Sequence, residues 1–315
     1  MPKRSASSCP DDRRHARTDT GPGFSKGLPM TDTQTSAKPQ HTGTVIPLPE
    51  VPPGVEVIHD VSFGPHERQA YDVYLPEGAA RPLPVVVFFH PGAWQRRDKR
   101  AVRTMFVLEH SFALVSIGYR LAQHARFPAQ VQDVNDGLRH LIDHAADYGI
   151  DPDRMVLAGT SAGAHLASLA VLAKDHAAFH PVENLSPCGI VAVYGAYDLA
   201  HLLESADDLA TDHVSADSPL GLMFGEPPLD RMDLLREISP ANYIRSDAPP
   251  FLILHGREDH VLPWRQSADF ANRLFDAGVN ATLQVVPHVG HGAEAFRTGR
   301  IADEITAFAK HVTEG

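Results

Sequence analysis

Residues 157–168 read LAGTSAGAHLAS, and they decide the fold. The apolar run RMVLAG (154–159) leads into Ser161, which stands between Gly159 and Gly163, and AHLASLAVLAK (164–174) continues at helical spacing. A buried strand that turns directly into a helix brings two backbones close together, which only small side chains permit. A serine at that turn sits at a helix N-terminus, where the helix dipole and the free N–H of Ala162 can meet developing negative charge. The bare pattern G-x-S-x-G arises often by chance. Its place between strand and helix strengthens the pattern, and a tight strand–helix turn with no chemistry stays open until the other residues are read.

The same alternation extends in both directions. PVVVFFH (84–90), FALVSIGY (112–119), GIVAVYGAY (189–197) and FLILHG (251–256) are short continuous apolar runs. Such runs suit central strands of a mostly parallel sheet, buried on both faces. VEVIHDVSF (55–63) and QAYDVYLP (69–76) alternate as an antiparallel pair, and ATLQVVP (281–287) reads as a strand near the edge. DKRAVRTMFVLEH (98–110) predicts a helix. So does FPAQVQDVNDGLRHLIDHAADYG (127–149), with Pro128 in its first turn and Gly149 just past its end. IADEITAFAKHV (301–312) predicts a closing helix. Strands alternating with helices give an α/β class with a doubly wound, mostly parallel sheet. Residues 199–248, polar and dotted with proline, break the rhythm and read as an inserted cap or lid. Residues 51–315 then form one domain. Residues 1–50, rich in Ser, Thr, Pro and charge, read as a disordered tail.

An activated serine needs a base, and the base needs a carboxylate to orient it. FLILHGREDHVLPW places Asp259 in the loop after a strand, and VVPHVGHGAE places His291 in a glycine-flanked loop after the next. Order and strand-end placement fit Ser161, Asp259 and His291 as a triad. Glu258 and His288 compete for the same roles, but successive loop positions do not both point at one imidazole. The spacing of His255, His260, His288 and His291 fits no common zinc pattern, so no metal is expected. Upstream, HPGAW (90–94) follows the strand VVVFFH, where backbone donors for an oxyanion belong. Pro91 has no N–H to give, which leaves Gly92 and Ala93 beside Ala162. Trp94 either packs beneath this loop or lines an acyl pocket, packing being the more ordinary role. Asp198 either caps the inserted segment or touches substrate. Phe224, with Leu222 and Met223, either lines the acyl pocket or forms the insertion's own core.

From about residue 54 to 312 the chain resembles the α/β-hydrolase superfamily. Within it the sequence is similar to the esterase/lipase group typified by bacterial bifunctional feruloyl and acetyl-xylan esterases. HPGAWQRRD stands where that group has HGGGW, and GTSAGAHLA stands for its GxSAGG helix, with Ala164 in place of a glycine. SPANYI followed by APPFLILHGREDHVLP matches the approach to the acid, and HVGHG the histidine loop. The resemblance implies a serine hydrolase that cleaves carboxylic esters of small or medium acyl groups, with no metal or organic cofactor. The same scaffold also carries amidases such as arylformamidases, and carbamate hydrolases. A non-catalytic binding protein on this fold would lack a triad member, and none is missing here.

Totals narrow the partners. The chain has 315 residues, 43% hydrophobic and 21% charged, and a formal net charge of −11. Such acidity argues against nucleic acid or an anionic membrane as partner and leaves a small-molecule ester. No run of 18 apolar residues is present to span a membrane. Two cysteines, Cys9 and Cys188, make no disulfide framework. The basic start of the chain is not followed by the apolar stretch of a secretory signal, so a cytoplasmic setting is expected.

Overall fold

A computed structural model of the chain describes residues 46–204 and 211–314. Most of the stretch read as a tail lies outside those residues. Among them, eight strands form one sheet: β1 (Val55–Ser62), β2 (Ala70–Pro76), β3 (Leu83–Phe89), β4 (Ala113–Ile117), β5 (Ile150–Thr160), β6 (Gly189–Val193), β7 (Phe251–Gly256) and β8 (Ala281–Val286). Their order across the sheet is β1-β2-β4-β3-β5-β6-β7-β8. β2 runs antiparallel to both of its neighbours, and every other pairing is parallel. β5, the strand that carries Ser161 at its end, sits between β3 and β6.

The continuous apolar runs explain why this sheet is covered on both faces. Val85, Val87 and Phe89 point into one layer with Leu157, Ala192 and Ile253. Val86 and Phe88 point into the other with Val156, Val191 and Leu254. The period of two in a strand sends alternate residues to opposite faces, so neither face can be left to water. The helices are α1 (Ala129–Asp143), α2 (Ala145–Tyr148), α3 (Ala162–Leu172), α4 (Leu199–Glu204), α5 (Pro219–Phe224), α6 (Met232–Glu237), α7 (Arg265–Asp276) and α8 (Gly299–Glu314). α1, α3 and α7 fill the first layer; α8 and a 3₁₀ turn at Met105–His110 fill the second. All eleven residues of α3 are buried, which is why its sequence is apolar all round. α4, α5 and α6 lie between β6 and β7, in the segment that breaks the strand–helix rhythm.

The structure departs from the sequence pattern in two places. The helix expected over 98–110 forms only as the 3₁₀ turn Met105–His110. Residues 98–104 are held otherwise, because Lys99 is drawn inward. Its ammonium lies 2.5 Å from Asp72 and 2.6 Å from Asp60, and its carbonyl accepts the Ser116 hydroxyl. Tertiary ion pairing here overrides local periodicity. α7, in contrast, was not anticipated. Its buried positions Gln266, Ser267, Phe270, Ala271 and Leu274 follow helical spacing, but two of the five are polar.

The Lys99–Asp72 pair is almost dry, and removing one partner strands the other charge. Lys99→Met is expected to cost about 3 kcal/mol of unfolding free energy. Urea midpoints at pH 7 for the two proteins measure it.

Candidate active site

Ser161 lies at the junction of β5 and α3 with φ 54° and ψ −119°, a left-handed conformation that side chains rarely adopt. Its N–H donates to the Val193 carbonyl of the neighbouring strand, and its carbonyl accepts from His165 N–H. The flanking glycines make this turn possible. A Cβ on Gly163 would come within 2.0 Å of the Phe89 carbonyl oxygen, and one on Gly159 within 2.3 Å of Gly163 backbone atoms. The strained serine therefore points its hydroxyl off the sheet's edge at the start of a buried helix.

The structure brings His291 and Asp259 to that hydroxyl. His291 Nε2 lies 3.0 Å from Ser161 Oγ, and its Nδ1 lies 2.7 Å from Asp259 Oδ2. Asp259 is buried and accepts four hydrogen bonds. Oδ1 takes the N–H groups of Val261 and Leu262, each at 2.9 Å, while Oδ2 takes His291 and, at 3.1 Å, His255 Nε2–H. Burial by itself would raise this carboxyl. The hydrogen bonds from His255 and His291 outweigh it and hold the group well below the usual carboxylate range. The loops carrying acid and base are stitched together: Arg257 N–H bonds to Val286 and Glu258 N–H to Val289. The rival pair is accounted for separately. His288 Nδ1 lies 3.0 Å from Glu258 Oε1, and both side chains are exposed.

The HPGAW loop is strained in the same sense. Gly92, Ala93 and Trp94 have φ of 132°, 51° and 57°. The Gly92 carbonyl takes the N–H groups of Gln95 and Arg96, closing a tight turn. Among the described residues, no acceptor takes the N–H of Gly92, Ala93 or Ala162. Three unspent donors thus flank the same strand ends as Ser161, which suits a developing oxyanion.

The family model BD-FAE matches residues 71–274. The chain belongs to the BD-FAE family. Esterase LipQ of Mycobacterium tuberculosis is 30% identical over 262 residues, covering 79% of this chain and 61% of LipQ. The chain therefore spans less than two thirds of that curated relative. Carboxylesterase NlhH of the same species is 31% identical over 227 residues, covering 70% of this chain and 69% of NlhH. Among solved structures, a truncated carbohydrate esterase from gut microbiota superposes with a TM-score of 0.74 at 25% identity, covering 82% of this chain and 97% of that one. The fold is that of an α/β-hydrolase.

In this BD-FAE chain, the three side chains named as candidate substrate contacts have partners within the protein. Trp94 is buried and its indole N–H donates to His165 Nδ1 at 3.2 Å, so it packs beneath its loop. Asp198 caps α4 by accepting His201 N–H at 3.0 Å, and it pairs with Arg273 at 2.9 Å. Phe224 is buried in the core layer with Met223, while Leu222 is exposed. Two further residues adjoin this cluster: Tyr194, which the sequence pattern does not single out, and His255, which it offers only as a metal ligand or a strand residue. Tyr194, with φ 41°, lays its ring 4.7 Å from that of His291, with Phe296 behind it. His255 supports Asp259 from within β7, and its Nδ1 accepts the Ser267 hydroxyl at 2.7 Å. Only the strand-end position of Tyr194 could have marked it; nothing in the local sequence marks His255 as more than a strand residue.

Two buried imidazoles limit the acid range of the protein. Burial pushes His90 down to about 3 and His165 down to about 4. In the unfolded chain both protonate near pH 6.5, so the unfolded state binds more protons and stability rises with pH. Unfolding free energy is expected to fall from pH 6.5 towards pH 4, with a limiting slope of about 1.4 kcal/mol per pH unit for each imidazole. Asp259 acts lower down. Its contribution is present above about pH 3.9 and lost as pH falls through the depressed folded value. Urea midpoints at pH 7, 6 and 5 test the histidine limb. Gly163→Ala, which drives a methyl into the Phe89 carbonyl, is expected to cost at least about 3 kcal/mol, read in the same assay.

Proposed function

We propose that this protein is a serine hydrolase cleaving carboxylic esters of small or medium acyl groups. The hydrogen-bonded line from Asp259 through His291 to the strained Ser161 carries the reading. Because Asp259 accepts at Nδ1–H, the imidazole keeps Nε2 free to accept the Ser161 proton. Ser161 Oγ then attacks the ester carbonyl as its proton passes to Nε2. Charge builds on the carbonyl oxygen, and the N–H groups of Ala162 and of Gly92 or Ala93 stabilise it. The imidazolium next gives its proton to the departing alkoxide, leaving an acyl-serine. Water repeats the same steps and releases the acid. Every proton has a named carrier, and the route needs no metal or cofactor.

The similarity to LipQ, an esterase, and NlhH, a carboxylesterase, supports ester over amide as the substrate bond. We take residues 51–315 as the hydrolase domain and 199–248 as its cap, since that segment holds α4–α6 between adjacent strands. Sparse cysteine use, with Cys188 unpaired among the described residues, supports a reducing, cytoplasmic setting. No helix among the described residues is long and apolar enough to cross a membrane.

Rates on p-nitrophenyl acetate and on an N-formyl aryl amide, with Ser161→Ala beside the parent, test the reading. Ester cleavage is expected to fall roughly 10⁶-fold in kcat in the variant, with negligible amide cleavage by the parent. Strong serine-dependent amide cleavage would make the protein an amidase. A serine-independent ester rate would remove Ser161 as nucleophile.

A further inference from the structure

His165 lies one helical turn beyond Ser161 and is 1% exposed. Both of its ring nitrogens are engaged. Nδ1 takes the indole N–H of Trp94 at 3.2 Å, and Nε2 lies 2.7 Å from the Ile238 carbonyl. An indole N–H only donates and a carbonyl only accepts, so the ring is fixed in one neutral tautomer with its proton on Nε2. Burial, which holds the group at about 4, keeps that form throughout the neutral range. The indole meets the imidazole edge-on, with ring centroids 5.1 Å apart and planes at 84°.

The three residues belong to three different pieces of the fold. Trp94 ends the strained run Gly92–Ala93–Trp94, whose first two N–H groups have no acceptor among the described residues. His165 is in α3, whose N-terminus carries Ser161. Ile238, fully buried, closes α6 within the inserted segment. Trp94 is tied at its other end too, since its carbonyl takes Ala122 N–H at 2.8 Å. The left-handed loop therefore has its register fixed by the Trp94 backbone on one side and by its indole on the other. Two non-glycine residues at positive φ persist only where surrounding contacts over-determine them. The hydrogen bond to His165 references the loop to the nucleophile's own helix.

We propose that His165 is a positioning residue for the oxyanion donors. Acting through Trp94, it holds the N–H groups of Gly92 and Ala93 in register with Ser161, and through Ile238 it ties that register to the inserted segment. The proposal rests on the esterase reading of Ser161. It assigns His165 no contact with substrate. Its effect falls on the step in which charge reaches the carbonyl oxygen, so kcat changes while substrate binding does not.

A double-mutant cycle tests this. Trp94→Phe keeps an aromatic ring and removes the N–H; His165→Phe keeps a ring and removes both hydrogen bonds. Each is expected to lower kcat on p-nitrophenyl acetate by about 10- to 100-fold with KM within about two-fold. The double variant should be no slower than the slower single, because both changes cut one link. Affinity for an aryl trifluoromethyl ketone, which forms a tetrahedral adduct on a serine, should weaken by the same factor. His165→Gln, whose amide can both accept and donate, should recover part of the rate. Thermal midpoints are recorded alongside. Lowered midpoints with kcat unchanged, or single effects that multiply in the double variant, overturn the proposal. If His165→Phe does not fold, Trp94→Phe and His165→Gln carry the same comparison. Failure of the esterase reading is separable, since it appears as a Ser161→Ala protein that still cleaves the ester.

Discussion

One backbone conformation organises this molecule. Ser161 is held at positive φ by a strand on one side and a wholly buried helix on the other, and the two can meet only because residues 159 and 163 lack side chains. Strain of this kind costs on the order of 1–3 kcal/mol and survives only when the surrounding packing leaves no relaxed alternative. β5 supplies that packing from between β3 and β6. The remaining parts of the site then follow from the sheet. In parallel sheets the loops beyond the carboxyl ends of the strands converge on one edge. β3 delivers the Gly92 loop there, β5 the serine, β6 Tyr194, β7 Asp259 and the loop after β8 His291.

Around this edge the polar groups differ in what they are bonded to. Asp259 is buried but accepts four hydrogen bonds, which fixes it as a carboxylate. His90 and His165 are buried without a charged partner and stay neutral. His255 serves as a donor to a carboxylate and a carbonyl together. His291 is the partly open imidazole among these, facing the serine hydroxyl on one side and the carboxylate on the other. Its ring is braced by Tyr194, so it can exchange a proton without losing its orientation.

Much of this could be read from residue order, for physical reasons that differ from element to element. Central strands announce themselves because burial on both faces demands continuous apolar runs such as VVVFFH and VLAG. The serine turn is legible because close backbone approach admits only small residues. Asp259 and His291 are legible because their loops follow strands in the chain order the chemistry needs. What failed to show was decided by distant partners. Lys99 is taken from its helical period by two aspartates encoded some 30 residues upstream, as Asp60 and Asp72. α7 buries glutamine and serine on its inner face, since Gln266 accepts from the Tyr197 and Asp198 N–H groups. Trp94, Asp198 and Phe224 could each be assigned two roles from sequence. The choice between them rests on partners at residues 165, 273 and across the core layer.

The segment between β6 and β7 leaves the sheet at one strand and returns at its immediate neighbour. Those two strands keep their register, Ile190 opposite Phe251 through Val193 opposite Leu254, whatever lies between. The sheet thus works as a fixed mount and the insertion as an interchangeable fitting. Among its attachments near the edge that carries Ser161 are the Ile238 carbonyl on His165 and His213 against the Val261 carbonyl beside Asp259. A change of length between these two strands therefore need not shift the strand ends that carry Ser161 and Asp259.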